Sequence, residues 1–436
     1  MHVADRDIWR IALPMILSNV SVPLLGLVDT AVVGHLDHSW YLGAVAVGAA
    51  VFSFIYNGLN FLRMGTTGVA AQSHGADDDA RVRRSLIEAL LVAAVLGAAL
   101  LLLSAPLREL ALTLVAPEVD VAREAAIYID IRIWSAPAVL ATSVIVGWFL
   151  GLQDARVPLV TVLVVNVTNI VLDLVFVIGL GMTTNGVALA SVIAEYLGVA
   201  VALTFAVRRY LSLRGALDWS ALVSAANYRR YFSVNGNILI RTLALMFALF
   251  FVTAQSARLG TVVLAANAIL LNLQYLTSYL LDGLAHAAEA LVGKAIGRRD
   301  RAMLNEAVRK VMLWSIGFAT VLTLIYAVGG NALIGLLTDI DAVRATAATF
   351  LIWLIASPLI SVGSFVYDGI FIGATRAREM RNVMVLALIA VFLPAWWLTR
   401  PLGNHGLWLA FTLFMAARSI GMYWYYERIP RSLQAA

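Results

Sequence analysis

The stretch Asn166-Val-Thr-Asn169-Ile-Val-Leu-Asp173 places three polar side chains inside an apolar segment that runs roughly from Val157 to Leu180. A segment of this length can cross a bilayer as a helix. The spacing i, i+3, i+7 puts the three polar side chains on one face of that helix. A carboxylate in hydrocarbon is costly to bury and therefore indicates a functional site. The alternative interpretation is a hydrogen-bond cluster that only joins helices.

The composition of the whole chain is typical of a membrane protein. Its 436 residues are 61% hydrophobic and only 13% charged, and the mean hydropathy is +0.87. Ordinary soluble domains are about half apolar and a quarter charged. The net charge of +5 comes from basic residues in short loops between apolar segments, so nucleic acid is not an expected partner. The chain has no cysteine, which excludes disulfides and thiolate metal sites.

Twelve apolar segments can be drawn along the chain, each near or above the length that a spanning helix needs. They lie roughly at 10–34, 42–66, 86–105, 126–150, 157–180, 186–207, 231–254, 262–290, 312–330, 346–372, 382–399 and 405–426. Arg and Lys are concentrated in alternate loops, and the positive-inside rule then places both termini in the cytoplasm. The sequence therefore predicts an all-α integral membrane protein with twelve transmembrane helices.

The two halves of the chain resemble each other at an offset of 221 or 222 residues. Leu42-Gly-Ala-Val-Ala46 resembles Leu264-Ala-Ala-Asn-Ala268, and Asp120-Val-Ala-Arg123 resembles Asp341-Ala-Val-Arg344. Each half carries six apolar segments, so both halves enter the membrane from the same side. We therefore expect two six-helix bundles related by a pseudo-two-fold axis along the membrane normal, an architecture that alternating-access transporters use.

The predicted halves differ in chemistry. The position that matches Asp173 falls in Phe392-Leu-Pro-Ala-Trp-Trp397, which contains no carboxylate, and Asp29 has no acidic counterpart around Phe250. We therefore expect the ion chemistry in the first half only. The predicted domains are an N-terminal bundle with the cation-coupling site at 1–210, a cytoplasmic linker at 211–227 and a C-terminal bundle at 228–436.

A second carboxylate, Asp29, lies in the first apolar segment. The number of residues from the end of each apolar segment gives the depth of a side chain in the membrane. By this count Asp29, Asp173 and Ser191 lie at one depth in the outer half of the N-terminal bundle, and Asn169 lies one turn from Asp173. Two carboxylates with amide and hydroxyl oxygens can hold a proton or a small hard cation such as Na⁺. Because two neighbouring carboxylates in a low dielectric do not easily both ionise, we expect this pair to act as a protonation switch.

Other unusual residues lie in the apolar segments. Pro14 shares the first segment with Asp29 and allows a bend, although prolines are common in membrane helices. In the second half, Arg241, Asp282 and Asp368 lie within apolar segments. An unpaired Arg there would be expensive, so we expect Arg241 to pair with an acid. Asp368 is a candidate for recognising a cationic substrate, whereas a structural ion pair is slightly favoured for Asp282.

Three motifs in this order resemble the multidrug and toxic compound extrusion (MATE) family, and most closely its branch named after DNA-damage-inducible protein F. They are Asp29-Thr-Ala-Val-Val-Gly-His-Leu36, Asn169-x-x-x-Asp173 and Tyr367-Asp-Gly-Ile-Phe-Ile-Gly-Ala-Thr-Arg376. The resemblance implies export of diverse, often cationic organic compounds across a bacterial inner membrane, driven by inward flow of H⁺ or Na⁺. It also implies that Asp29, Asn169 and Asp173 carry the coupling, with Ser191 standing where this branch usually has Thr.

Two other functions stay open. A flippase for a lipid-linked precursor belongs to the same superfamily, but such proteins tend to have a more cationic cavity than the largely acidic membrane charges here. A membrane-embedded enzyme is disfavoured, because the chain has no HExxH, Walker A or aspartate-rich diphosphate motif, and its six His residues form no metal-binding spacing. We expect no cofactor besides the coupling ion, small organic molecules and the bilayer as partners, and a monomer.

Overall fold

The computed structural model describes residues 3–34, 36–214 and 225–433. In this part of the chain every regular element is helical, and twelve helices are long and apolar enough to cross a membrane, which confirms the predicted fold class. We number them span 1 to span 12 in chain order. Their bounds are Asp5–Val33, Ser39–Gly75, Asp79–Leu102, Val119–Gly151, Arg156–Gly179, Thr184–Ser212, Phe232–Arg258, Thr261–Gly297, Arg301–Leu337, Asp341–Gly373, Ala377–Leu402 and Asn404–Arg431.

Several spans extend beyond the predicted apolar segments. Span 9 was predicted at 312–330 and runs over Arg301–Leu337, because its polar first turns continue the helix outside the hydrocarbon layer. A shorter helix, Ser104–Val115, follows span 3, and the helix of span 7 begins at Ala225. Hydropathy thus located the spans but not the full lengths of the helices.

Four spans are interrupted by irregular turns. Span 2 breaks at Asn60, and span 4 contains a 3₁₀ turn over Ile133–Ser135. Spans 5 and 11 contain π-helical segments at Leu174–Gly179 and Ala387–Phe392. The π-helical segment of span 5 begins directly after Asp173, and such segments are frequent at functional sites.

The described chain divides into two compact units. The N-unit comprises Leu17–His74 and Asp78–Arg229, and the C-unit comprises Met1–Ile16, Gly75–Asp77 and Arg230–Ala436. The division falls inside span 1, so this helix contributes residues to both units. The domain boundaries at 210 and 228 stay predictions, and positions 215–224 of the predicted linker lie outside the described residues.

The backbone repeats the internal similarity of the sequence. Asp78 caps span 3 by accepting from the backbone N–H of Arg81, and Asp300 caps span 9 by accepting from that of Met303. Residues in the left-handed region recur at the same offset of 222, and these pairs are Asp77 and Arg299, Gln153 and Thr375, and Gly181 and Gly403. The two halves therefore share turn chemistry as well as helix order.

Close helix packing is repeated in the same way. Gly147 of span 4 packs against span 2 so tightly that a Cβ there would collide with the backbone carbonyl oxygen of Arg63. In the C-unit, Gly369 of span 10 packs in the same manner against Ala285 of span 8. Small residues allow such close approach, and in membranes it supplies packing energy between helices.

Substitution of Gly369 by Ala should therefore destabilise the protein. The added Cβ collides with the backbone of Ala285, and overpacking of this kind costs about 1–3 kcal/mol. The expected result is a lower melting temperature of the purified protein in detergent. Gly317→Ala in span 9 is the matched control, because nothing lies within 4 Å of a Cβ built there. An unchanged melting temperature for Gly369→Ala would contradict the described packing.

Candidate ion-coupling site

Four residues that the sequence predicted as one group meet in the N-unit: Asp29, Asn169, Asp173 and Ser191. In the amide orientation that gives each donor an acceptor, Asn169 Nδ2 donates to Asp173 Oδ2 at 3.0 Å and to Asp29 Oδ1 at 3.1 Å. Asn169 Oδ1 accepts from Ser191 Oγ at 3.0 Å and from the Ser191 backbone N–H at 3.1 Å. One amide thus joins spans 1, 5 and 6.

The two carboxyl groups also lie within hydrogen-bonding reach of each other. A hydrogen bond between two carboxyl groups requires that one of them carries a proton. Asp173 is completely buried, and its Oδ1 receives no hydrogen bond from a described donor. The pair can therefore share one proton and still offers a free acceptor oxygen.

Apolar packing surrounds the site. A hydrophobic cluster draws residues from five spans of the N-unit, among them Val32 of span 1, Phe52 of span 2, Tyr128 of span 4, Val177 of span 5 and Val187 of span 6. The cluster lowers the local dielectric, which strengthens every charge interaction inside the site.

Asn166 is buried on the same face of span 5 as Asn169 and Asp173, as the spacing predicted. The structure nevertheless does not bring it to the carboxylates. Its Nδ2 donates to Ser21 Oγ at 2.9 Å and to the Ser21 backbone carbonyl at 3.3 Å. Seven residues separate Asn166 from Asp173, which is about 10 Å along the helix. Asn166 therefore joins span 5 to span 1 at a second level.

Pro14 lies in a helix that continues through it from Asp5 to Val33. It belongs to the part of span 1 that packs with the C-unit, whereas Asp29 belongs to the N-unit. The role of Pro14 in bending stays a prediction.

Two charged residues that the sequence analysis did not single out lie in spans 4 and 6 of the N-unit. Arg132 of span 4 and Glu195 of span 6 form an ion pair with 3.9 Å between Nη2 and Oε1, and their side chains are only 17% and 18% exposed. Arg132 also interacts electrostatically with both Asp29 and Asp173. The N-unit therefore holds a largely buried acid and base that interact with each other, in addition to the predicted site.

The sequence contained a signal for one of these residues. Glu195 lies four residues after Ser191 in an apolar segment, which puts both on one face of span 6. Arg132 is harder to find, because it lies near the start of its apolar segment, where an Arg can be explained by its position near the membrane surface.

The charged candidates of the second half form a separate cluster in the C-unit. Arg241, which was predicted to pair with an acid, donates from Nη2 to Asp368 Oδ2 at 2.7 Å. Arg418 donates to the same oxygen at 2.9 Å and also interacts with Asp282. Two guanidinium groups therefore face Asp368, and its role in recognising a cationic substrate stays a prediction. The sequence analysis missed Arg418, although it lies in the middle of the last apolar segment.

Comparison with known proteins identifies the family. The MatE family model matches residues 14–175 and 238–397, which together make up well over half of the chain. The chain belongs to the MatE family. This MatE protein is 44% identical over 422 residues to DNA damage-inducible protein F of Escherichia coli (strain K12), covering 96% of this chain and 91% of that protein.

More distant relatives agree with this assignment. This MatE protein is 28% identical over 453 residues to the probable multidrug resistance protein NorM of Rhizobium meliloti (strain 1021), with 98% and 94% of the two chains covered. The Vibrio cholerae MATE transporter VcmN in the bent form matches with a TM-score of 0.89 at 19% identity, covering 99% of this chain and 98% of that chain. The structural match shows that the chain has the fold of MATE transporters.

Removal of the Ser191 hydroxyl tests the geometry of the site. Ser191→Ala takes one donor from the Asn169 amide oxygen and should lower the free energy of unfolding by about 1 kcal/mol. Ser191→Thr keeps the hydroxyl and should keep the stability. Ser143→Ala is the matched control, because among the described residues Ser143 Oγ bonds to the carbonyl of Val139 in its own helix. Thermal unfolding in detergent measures all three, and an Ala variant as stable as wild type would contradict the described bond.

Proposed function

We propose that this MatE protein is a secondary active multidrug efflux transporter, which exports diverse, often cationic organic compounds in exchange for protons by alternating access. The observation that carries the proposal is the pair of the completely buried Asp173 and the partly buried Asp29, bridged by the Asn169 amide. A carboxylate pair in a low-dielectric site exchanges protons because each proton removes a charge that is costly to bury. We place the protein in the bacterial inner membrane with both termini in the cytoplasm.

The geometry suggests how protonation acts on the helices. When both carboxylates are ionised, the Asn169 amide donates to each and holds spans 1 and 5 together across two like charges. When a proton enters, one carboxyl group becomes a donor and the repulsion ends. The contact between spans 1 and 5 therefore has two different arrangements, and we infer that proton binding selects between them.

We propose that span 1 is the helix that changes conformation when the carboxylate pair takes up or releases a proton. Asp29 lies in its N-unit part, and Pro14 lies in its C-unit part. Pro14 and Pro23 each remove a backbone hydrogen bond from the helix. Structures of MATE in the straight conformation and in the bent conformation share this fold. We propose that protonation of the carboxylate pair changes the bend of span 1.

A flippase for a lipid-linked precursor is the second candidate. One observation favours it, the pair of buried guanidinium groups of Arg241 and Arg418 on the single carboxylate of Asp368. Guanidinium groups bind anionic groups of substrates, but here Asp368 and Asp282 already offset both positive charges. It ranks second because the carboxylate pair of the N-unit has no role in a cycle without ion coupling.

Transport by reconstituted protein tests the proposed function. Proteoliposomes loaded with a fluorescent cationic dye receive either a pH gradient, acidic outside, or a Na⁺ gradient. We expect dye efflux under the pH gradient alone, because inward proton flow drives export. Asp29→Asn and Asp173→Asn should each abolish it, since an amide cannot take up the proton.

Asp120→Asn is the matched control for this experiment, because Asp120 is an exposed acid of span 4 in the same unit. It should transport at the wild-type rate. If none of the proteins moves dye under either gradient, and all are folded, the multidrug function is wrong and the flippase becomes the leading candidate. Efflux that survives both substitutions would place the coupling outside this pair.

A further inference from the structure

The start of span 1 is fastened to span 9 by polar contacts within the C-unit. The Val3 backbone N–H donates to Glu306 Oε2 at 3.1 Å, and Lys310 Nζ donates to the Val3 carbonyl at 2.7 Å. Trp314 Nε1 donates to Asp5 Oδ1 at 3.1 Å. Val3 is only 2% exposed, so separation of this turn from span 9 would leave buried backbone groups without hydrogen-bond partners.

Span 1 also packs closely against span 8 as far as Ile16. A Cβ added to Gly283 of span 8 would collide with the Ile16 side chain and would lie 3.0 Å from the carbonyl oxygen of Ala12. Ala12 is completely buried, and the Trp9 ring meets the Trp314 ring of span 9 edge-on, with 5.2 Å between the ring centres. The C-unit therefore holds span 1 up to Ile16, the residue at which the two units divide.

Span 5 of the N-unit holds the next part of span 1 at two levels. Asn166 Nδ2 donates to Ser21 Oγ at 2.9 Å and to the Ser21 carbonyl at 3.3 Å. Asn169 Nδ2 donates to Asp29 Oδ1 at 3.1 Å. Because both donors lie on one face of one helix, segment 21–29 of span 1 is held against span 5 as a unit.

The turn 17–21, between these two anchored segments, has a weakened hydrogen-bond ladder. Pro23 has no N–H and therefore cannot donate to the carbonyl of Asn19. Ser21 Oγ donates to the Ser18 carbonyl at 2.7 Å, and such bonds back to the preceding turn often bend a helix. Since helices kink where the backbone ladder is interrupted, bending of span 1 costs least free energy in this turn.

We propose that residues 17–21 form the hinge of span 1, and that Asn166 is the positioning residue that holds the C-terminal end of this hinge to the N-unit. The inference rests on the proposed function, because it says where span 1 bends. It gives a role to Asn166, which lies on the polar face of span 5 but does not reach the carboxylates. It also separates the hinge from Pro14, which lies between Ala12 and Ile16 in the segment held by the C-unit.

The two contacts with span 5 then have different roles. Uptake of a proton changes the contact at Asp29, because the carboxyl group becomes a donor. The contact between Asn166 and Ser21 involves no ionisable group, so it persists in both protonation states. Segment 21–29 therefore turns about Ser21, and the change at Asp29 reaches the hinge instead of displacing the whole helix.

Amide hydrogen–deuterium exchange of the purified full-length protein in detergent tests the proposal without substrate or transport, because it measures local opening of each segment. Mass spectrometry of peptic peptides compares wild type, Asn166→Ala, Pro23→Ala and Ser143→Ala. Ser143→Ala is the matched control, because Ser143 lies in the N-unit and its Oγ donates to the carbonyl of Val139 in its own helix.

Asn166→Ala should speed exchange at 17–22 about fivefold, the factor that loss of one hydrogen bond produces. Exchange at 5–13 should keep the wild-type rate, because the C-unit holds that segment. Pro23→Ala restores a backbone donor and should slow exchange at 17–22, whereas Ser143→Ala should change neither segment. A merely structural role of Asn166 would speed exchange throughout the N-unit and lower the melting temperature without this local pattern.

Wild-type exchange at 17–22 in Asn166→Ala would overturn the proposal, and so would equal acceleration at 5–13. If Asn166→Ala does not fold, Ser21→Ala takes its place, because it removes the hydroxyl acceptor and keeps the carbonyl.

Dye efflux under the pH gradient tests the hinge in function. Pro23→Ala stiffens the hinge and should slow efflux more than Pro14→Ala, which alters the segment held by the C-unit. The reverse order would overturn the position of the hinge. Failure of the proposed function is distinct, since it shows as absence of dye movement by the wild type, whereas the exchange pattern does not depend on transport.

Discussion

A polar side chain in hydrocarbon must find its partners inside the protein, and this constraint determines how the N-unit is assembled. The polar face of span 5 carries Asn169 and Asp173, and no lipid-facing orientation of that helix satisfies them. Span 5 therefore turns this face toward Asp29 of span 1 and Ser191 of span 6. The Asn169 amide has two donors and one acceptor oxygen with two lone pairs, and all of them are used. The arrangement of three helices thus follows from the hydrogen-bonding capacity of one side chain.

The C-unit shows that the fold itself does not need this site. Its turns repeat those of the N-unit at an offset of 222, as at Asp77 and Arg299. Yet the position that corresponds to Asp29 is Phe251. Its ring centre lies 5.4 Å from the ring centre of Phe392 and 5.0 Å from that of Trp396. Aromatic packing in one half fills the region that carries buried carboxylates in the other. Burial of carboxylates costs free energy that aromatic rings avoid, so the packing of the helix repeat does not depend on these acids.

Features of the fold and the site that depend on the local pattern of apolar and polar residues could be predicted from the sequence. Hydropathy locates all twelve spans, and the spacing of Asn166, Asn169 and Asp173 gives their common face. The depth of each residue along its helix correctly predicts that Asp29, Asp173 and Ser191 lie together, because the rise per residue is constant in a helix. What the sequence could not supply is which helices are neighbours. The pair Arg132 and Glu195 exists only because spans 4 and 6 are adjacent, and Asn166 meets Ser21 only through the register of spans 1 and 5.

The charged clusters of the two units differ in their balance of acids and bases. In the C-unit, Arg241 and Arg418 face Asp368 and Asp282, so equal numbers of acids and bases offset one another. In the N-unit, Asp29, Asp173 and Glu195 face the single cation of Arg132. A buried cluster with excess acid reaches neutrality only by taking up cations from solution. With all groups ionised the C-unit cluster is neutral, whereas the N-unit cluster becomes neutral only when its acids take up cations.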